Sequence, residues 1–347
     1  MRKKRNGYCF MDDITIKDVA NLAEVSVGTV SMALNGKSEV NPKTRKKVLA
    51  IAEKLGYTPN RYAKVLSSKQ TYTIGLIITD IINPFFGLII DYVQQELENN
   101  GYDLILGISG GSRTKEQKIV KNFISHRVDG ILMVPSHKQP ADMRHFLELQ
   151  RRNIPLCFIT TYYAEIDASC VMTDLSAGSY KLTKHILQSG RKNIAYIVVN
   201  PSLPLSELRL EGYYSAFREA GIEVNPEWII SVGEASFECA YEAAGKIFGD
   251  GKKYDAVLTM NDIMALGVLK YLKEAGYKIP EDISIAGYDD LLYTTLLETP
   301  LTTVRQPIRT LCSRGVELLL KHIENPALIA EKVFLAPQLI IRDSTKK

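Results

Sequence analysis

The 347-residue chain lacks several features that would each have settled its class. It has no long apolar run: stretches such as Ile74–Ile78 are far short of the roughly 20 residues that a membrane-crossing helix needs. Its first residues, MRKKRNGYCFMDD, are basic but run into Asp12 and Asp13 without an apolar segment, so no secretory leader is expected. Cysteine is scarce and scattered. Cys9, Cys157, Cys170, Cys239 and Cys312 are odd in number, and no CxxC pair or Cys/His cluster occurs. That usage excludes a disulfide framework and a zinc site, and fits reduced thiols in a cytoplasmic protein. No P-loop and no G-x-G-x-x-G is found, so neither a cofactor nor a metal is expected.

Charge is present but unevenly divided. The net charge is +4, yet residues 1–71 hold 14 Lys and Arg against 6 Asp and Glu, a balance of +8. The remainder holds 29 against 33, or −4. A small basic head on a mildly acidic body points to a head that meets a polyanion.

The head reads as short helices. Thr15-Ile16-Lys17-Asp18 has the spacing of a capping box, and Ile16, Val19, Ala20 and Ala23 then share one face. After Glu24-Val25-Ser26, with Ser26 as N-cap, the residues Val27, Val30, Ala33 and Leu34 recur at helical spacing. A third helix is predicted from Asn41-Pro42, cap and first-turn proline, to Gly56, burying Val48, Ile51, Ala52 and Leu55. Two short helices joined by a tight turn and braced by a third describe a helix-turn-helix module.

Beyond Thr71 the pattern changes to strands alternating with helices. Apolar strands are predicted at Ile74–Thr79, Tyr102–Ile108, Gly130–Val134, Pro155–Thr160, Ile194–Val199, Ala256–Thr259 and Ile283–Tyr288. Amphipathic stretches such as Phe85–Glu98, Ser176–Ser189 and Ile263–Ala275 lie between them. The expected fold class is therefore an all-α helix-turn-helix headpiece followed by an α/β core of two doubly wound parallel-sheet subdomains. Ligands in such sheets sit beyond the carboxyl ends of strands, where Asp80, Asn261, Asp262, Asp289 and Asp290 stand. One segment, Gly107-Ile108-Ser109-Gly110-Gly111, fits the G-x-S-x-G of a nucleophile elbow. A hydrolase would need a helix starting directly after Ser109, but a loop is expected to Lys115, and none of the five histidines has a distinctive context. No catalytic residue is assigned.

The segments TIKDVANLAEVSVGTVSMALNGK, LGYTPNRYAKVLSSKQTYTIGLI, NPFF, RVDGILMVPS, MNDIMALGVLKYLKEAGYKIPEDISIAGYDD and PLTTVRQP, in this order, resemble the lactose/galactose repressor family of bacterial transcriptional regulators. The resemblance runs from about Ile14 to Ser344. It implies a headpiece at 14–59, a hinge at 60–71 and a periplasmic-binding-protein-like core. The N-terminal core subdomain would be 72–173 with 302–332, and the C-terminal one 174–301 with 333–345. It further implies a sequence-specific regulator, most simply a repressor, acting as a homodimer on near-palindromic double-stranded operator DNA. Its affinity would be controlled by a small-molecule effector, a sugar or sugar derivative, held between the subdomains. Only Arg342–Lys347 follow the last strand, so a dimer is expected and not a tetramer.

Carried over position by position, Ser26, Thr29, Ser31 and Asn35, with Thr15, match residues that touch phosphates or support the turn. Val27, Gly28 and Met32 match base readers. The stretch from Ser26 to Lys37 holds no Arg, Gln or His, so apolar contact with thymine methyl groups and close backbone approach are what it offers. Glu24 stands where the family often has glycine. Leu66 matches a leucine that wedges into the minor groove, flanked by Arg61, Tyr62 and Lys64 for phosphates, so that operator deformability would contribute specificity. For the effector, Arg209, Asn261 and Asp262 match one wall and Asp80, Phe85 and Phe86 the other, with Asp289 more structural than contacting. Ala235 stands where the family often has an aromatic platform; Phe237 either replaces it or is core, and core is expected. The alternative reading is a small-molecule sensor whose headpiece no longer binds DNA specifically.

Overall fold

The computed structural model describes residues 14–34, 39–57, 70–136, 144–249 and 253–346. The chain divides into two compact units, 1–71 and 72–347. In the first, helices α1 (Ile16–Ala23), α2 (Val27–Leu34) and α3 (Pro42–Leu55) enclose a small core of Val19, Ala20, Ala23, Val30, Ala33, Val40, Val48 and Ala52. Local chemistry sets the ends. The Asp18 carboxylate accepts from both the N–H (2.8 Å) and the hydroxyl (2.7 Å) of Thr15 at the start of α1. Asn41 accepts from the Lys43 N–H at 2.9 Å, and Gly56 closes α3 in the left-handed region.

The second unit holds two parallel sheets. One runs in the order β11-β5-β4-β3-β1-β2. It is built from β1 (Thr73–Ile78), β2 (Asp103–Ile108), β3 (Gly130–Met133), β4 (Leu156–Ile159), β5 (Ser169–Thr173) and β11 (Lys332–Leu335). Helices α4 (Pro84–Asn99), α5 (Arg113–Ser125), α6 (Arg144–Arg151) and α11 (Ile308–Glu324) belong to this half. The other sheet runs β7-β6-β8-β9: β7 (Ile229–Val232), β6 (Ile194–Val199), β8 (Ala256–Thr259) and β9 (Ser284–Ala286). With it go α7 (Leu175–Gln188), α8 (Pro204–Glu219), α9 (Phe237–Gly249) and α10 (Asp262–Glu274). A two-stranded antiparallel pair, β10 (Thr303–Arg305) with β12 (Gln338–Ile340), lies where the chain crosses between the halves.

The helices of the second half pack closely because glycine lets them. A Cβ at Gly212 on α8 would lie 2.1 Å from the Ser176 carbonyl oxygen on α7, and one at Gly267 on α10 would lie 2.2 Å from that of Phe237 on α9.

One predicted boundary needs correction. The expected C-terminal subdomain resumes at Val333, but β11 pairs with β5 along its whole length, Lys332 with Cys170 through Leu335 with Thr173. The crossing follows Leu335. The sequence pattern also leaves β5, β7 and β10 to β12 unmarked; none of them spans more than five residues.

Candidate functional site

In the headpiece, α2 buries Val30 and Ala33 and leaves Ser26, Val27, Gly28 and Met32 exposed, with Thr29 and Ser31 half-buried. Val27 is 41% and Met32 39% exposed, so both side chains are available on the outer face of the helix. A Cβ on Gly28 would meet nothing nearer than the Ser26 hydroxyl at 3.6 Å, so the fold of the headpiece does not require glycine there. Ser26 caps the helix, accepting from the Thr29 N–H at 3.1 Å, and the two hydroxyls are 2.9 Å apart. These two residues support the turn in the headpiece itself. Glu24 ends α1 in the left-handed region (φ 57°) and pairs with Lys47 of α3 at 3.2 Å, which partly offsets its negative charge. Asn35, Arg61, Tyr62 and Leu66, with the hinge at 60–69, lie outside the described residues.

In the core, the chemistry gathers where β8, β9 and β10 meet. Asp262, expected to hold effector hydroxyls, is fully buried at the start of α10. Its carboxylate accepts from the Thr303 hydroxyl at 2.6 Å and the Leu291 N–H at 2.8 Å. That corrects the expectation: Asp262 ties α10 to a crossover strand and to the loop after β9. Asn261 caps α10, accepting from the Met264 N–H at 2.8 Å. Burial pushes the Asp262 carboxyl well above the usual range, and the neighbouring Asp289 adds to it. Asp289, also buried, is raised to about 7 by burial against the opposing influence of Arg209, and accepts from the Gln306 amide at 2.7 Å. Its backbone is strained at φ 120°, and that of Asp290 lies at φ 58°. Two ion pairs hold this turn in place, Asp290 with Arg305 at 2.6 Å and with Arg342 at 2.5 Å. Strain held by such over-determination is a feature of functional sites.

Arg209 is buried on α8, with its guanidinium 4.6 Å from the centre of the Tyr288 ring. Its Nη1 donates to the Leu205 carbonyl at 3.1 Å, and its Nε has no hydrogen-bond partner among the described residues. Leu205 lines a small cavity between the two halves, together with Leu203 and Pro204; the facing side is Ser136, Thr161, Tyr162 and Tyr163. Behind that side Glu116, fully buried, accepts from the Tyr163 hydroxyl at 3.0 and 3.2 Å and from the Ser136 N–H at 3.3 Å, with the His145 ring 3.8 Å away. Burial and the Glu116 charge hold the Tyr163 phenol above its ordinary value.

The remaining expected wall residues are less available. Asp80 closes its own loop, accepting from the Ile82 N–H at 2.8 Å and the Asn83 N–H at 3.2 Å. Phe85 is buried in the core of the first half, packed edge-on against the half-buried Phe86. Phe85 is therefore core and not cleft wall, a second correction. Phe237 is half-buried and lies parallel to Tyr241, with ring centres 6.5 Å apart. Tyr162 and Tyr163, which line the small cavity, stand in the loop after β4, a position beyond the carboxyl end of a strand like that of Asp80, and the sequence reading did not single them out. Ser109 is buried, its hydroxyl donating to the Ile78 carbonyl at 3.1 Å, and α5 begins only at Arg113.

A model for bacterial regulatory proteins of the lacI family matches residues 15–60, and one for a periplasmic binding protein-like domain matches 183–345. The ribose operon repressor of Haemophilus influenzae is 33% identical over 331 residues, 95% of this chain and 98% of that protein. The chain belongs to the LacI family. The regulator GalR of Escherichia coli is 32% identical, with 95% of each chain covered, and the repressor PurR of Vibrio vulnificus is 35% identical over 96% of this chain and 99% of its own. Among solved structures, the lac repressor dimer bound to operator and an anti-inducer superposes with a TM-score of 0.82 at 26% identity, covering 96% of this chain and 99% of that one. This family member is accordingly a DNA-binding transcriptional regulator, with a helical headpiece and an α/β core that binds a small-molecule effector. Its relatives regulate transcription, and no helix of the described residues is long and apolar enough to cross a membrane.

Proposed function

We propose that the chain is a cytoplasmic, non-enzymatic homodimeric repressor that reads its operator through apolar contact and duplex shape. Two α2 helices would enter successive major grooves. Val27 and Met32 would contact thymine methyl groups, and Gly28 would let the backbone come close. Thr15, Ser26, Thr29, Ser31 and Asn35 would support the turn or meet phosphates. Leu66, flanked by Arg61 and Tyr62, would open a central base step, so that flexible steps are preferred. The effector, a sugar or sugar derivative, would sit between the subdomains (72–173 with the α11 segment, and 174–301 with the C-terminal strand) against Arg209. Relatives support that class: a LacI-family regulator of Enterococcus faecium has been solved with bound ribose, and the regulator CelR with cellobiose. Arg209 keeps a buried Nε without a hydrogen-bond partner one helical turn from Leu205, which lines the cavity, and the strained turn of Asp289 and Asp290 is held to the crossover strands by Arg305 and Gln306. A sugar that binds the two interdomain angles unequally would shift operator affinity by the same free energy.

The observation that carries the reading is the exposed face of α2, apolar and without ionisable side chains. Selection of bound fragments from genomic DNA at ~150 mM salt, where phosphate-only binding is suppressed, tests it. Recovery of a near-palindrome with thymines in each half and a flexible centre is expected. Recovery of no motif by folded protein would overturn it in favour of a sensor with a silent headpiece.

A further inference from the structure

We propose that Asp290 is the clasp of the hinge between the two halves of the core, a positioning residue whose single carboxylate holds both β10 and β12. It does so whichever ligand enters the cleft. Two of the chain's passages between the halves run through this antiparallel pair, where Thr303 faces Ile340, Val304 faces Leu339 and Arg305 faces Gln338. Three residue pairs make a short ladder, and a two-stranded ribbon alone is only marginally stable. Contacts from outside the ladder have to hold it.

The Asp290 side chain, 7% exposed, supplies that hold. Its Oδ2 accepts from Arg305 Nε at 2.6 Å and its Oδ1 from Arg342 Nη2 at 2.5 Å. Arg305 is the last residue of β10, and Arg342 stands two residues beyond the end of β12. Each oxygen therefore takes one strand, through charge-assisted bonds of the short, strong kind. Arg342 extends the tie: Nη1 donates to the Leu301 carbonyl at 2.8 Å, and its backbone N–H donates to the Thr302 hydroxyl at 2.8 Å. The turn that carries Asp290 is itself unusual. Asp289 and Asp290 both lie at positive φ, 120° and 58°, and neither is glycine. Such backbone persists only where its surroundings over-determine it. Here the Asp289 N–H donates to the Val304 carbonyl of β10 at 2.8 Å, and its carboxylate accepts from Gln306 at 2.7 Å. Hinges are a few residues at element ends that absorb changes in φ and ψ. A shift of this turn is passed to both strands at once, without any ligand touching either.

The test is amide hydrogen exchange of the full chain without ligand, comparing wild type, Asp290→Asn and Lys270→Gln. Asparagine keeps the size and tolerates left-handed backbone, but its neutral amide has one acceptor oxygen and cannot hold two guanidinium groups. Lys270→Gln is the control, since it removes an ion pair contained within α10, Lys270 with Glu274 at 2.5 Å. In Asp290→Asn the amides of β10, β12, Asp289 and Arg342 should exchange about tenfold faster, while those of β1, β3, β6 and β8 keep their wild-type rates. Lys270→Gln should leave both sets as they are. If Asp290→Asn does not fold, Arg305→Gln, which removes one arm of the clasp at a half-exposed position, is read on β10 in the same way. Unchanged rates at β10 and β12 would overturn the clasp. Equal acceleration of every strand would overturn it too, because that is a general loss of stability and not a local hold.

Discussion

The exposed side of α2 and the cleft of the core hold opposite kinds of residue. On α2 the exposed side chains are Val27 and Met32, with Gly28 between them, and none is ionisable. Behind the cleft Arg209, Asp262 and Asp289 are all buried, and two of the three lie in the network that joins α10 to the crossover strands. The difference concerns what a substitution can disturb. Exposed apolar groups cost the fold little and can be exchanged freely. A buried carboxylate that accepts from Thr303 and Leu291 leaves those donors without partners when removed. Operator choice can therefore drift by single substitutions on α2, while the lower part of the cleft is held by the stability of the core.

Glycine gives the sharpest way to break this contrast. Gly212→Ala places a methyl 2.1 Å from the Ser176 carbonyl oxygen and 2.7 Å from the Tyr180 nitrogen, both backbone atoms. It should destabilise the core by about 4 kcal/mol or prevent folding, read as a fall in the urea midpoint. Asp262→Ala should come next, at about 3 kcal/mol, since it strands a buried hydroxyl and a buried N–H. A loss below about 1 kcal/mol would mean that the crossover does not depend on this tie.

The third expectation is a pH dependence. The Asp289 carboxyl is raised to about 7 in the folded chain, against about 3.9 unfolded. Between these values the folded state holds a proton that the unfolded state has released. Stability should therefore fall as pH rises from 4 to 7, by at most about 1.4 kcal/mol per pH unit. Urea midpoints across that range should show this decline in wild type, with a shallower one in Asp289→Asn. Parallel curves would rule out Asp289 as the source.

Smaller effects belong to the headpiece. Gly28→Ala meets only ordinary contact at 3.6 Å, so headpiece stability should stay level or rise by up to about 1 kcal/mol, since alanine favours helix. Specific operator binding should still weaken if the backbone approaches the bases. A drop in stability with no change in DNA binding would reverse the assignment of the two glycines. Glu24→Gly relieves a left-handed backbone and frees Lys47. Non-specific duplex binding, measured against salt, should strengthen a few-fold with a steeper slope.

Much of this was legible because the signals are local. Asn41, Pro42 and Gly56 mark both ends of α3, and each acts on backbone within a few residues. Strands β1, β3 and β8 are apolar and buried almost along their whole length and stood out; β7, β10 and β12 are in part exposed and did not, nor did β5, which is buried but begins and ends on Ser169 and Thr173. Asp262 was misread for a related reason. Its partners lie 29 and 41 residues along the chain, and before folding an aspartate at a helix start looks the same whether it faces a ligand or a threonine.

By itself the sequence determined the division of the chain into a basic helical head and an α/β body, the helix ends of the head, and the family. Caps, periodicity and charge act over one or two turns and need no distant partner. Only the tertiary structure decided which polar side chains face the cleft. It buried Asp262 and Phe85, set Arg209 on Tyr288 and brought Tyr162 opposite Pro204 and Leu205. Whether a charged or aromatic group is buried or exposed depends on which strand or helix the fold sets beside it, and that neighbour is not adjacent in sequence.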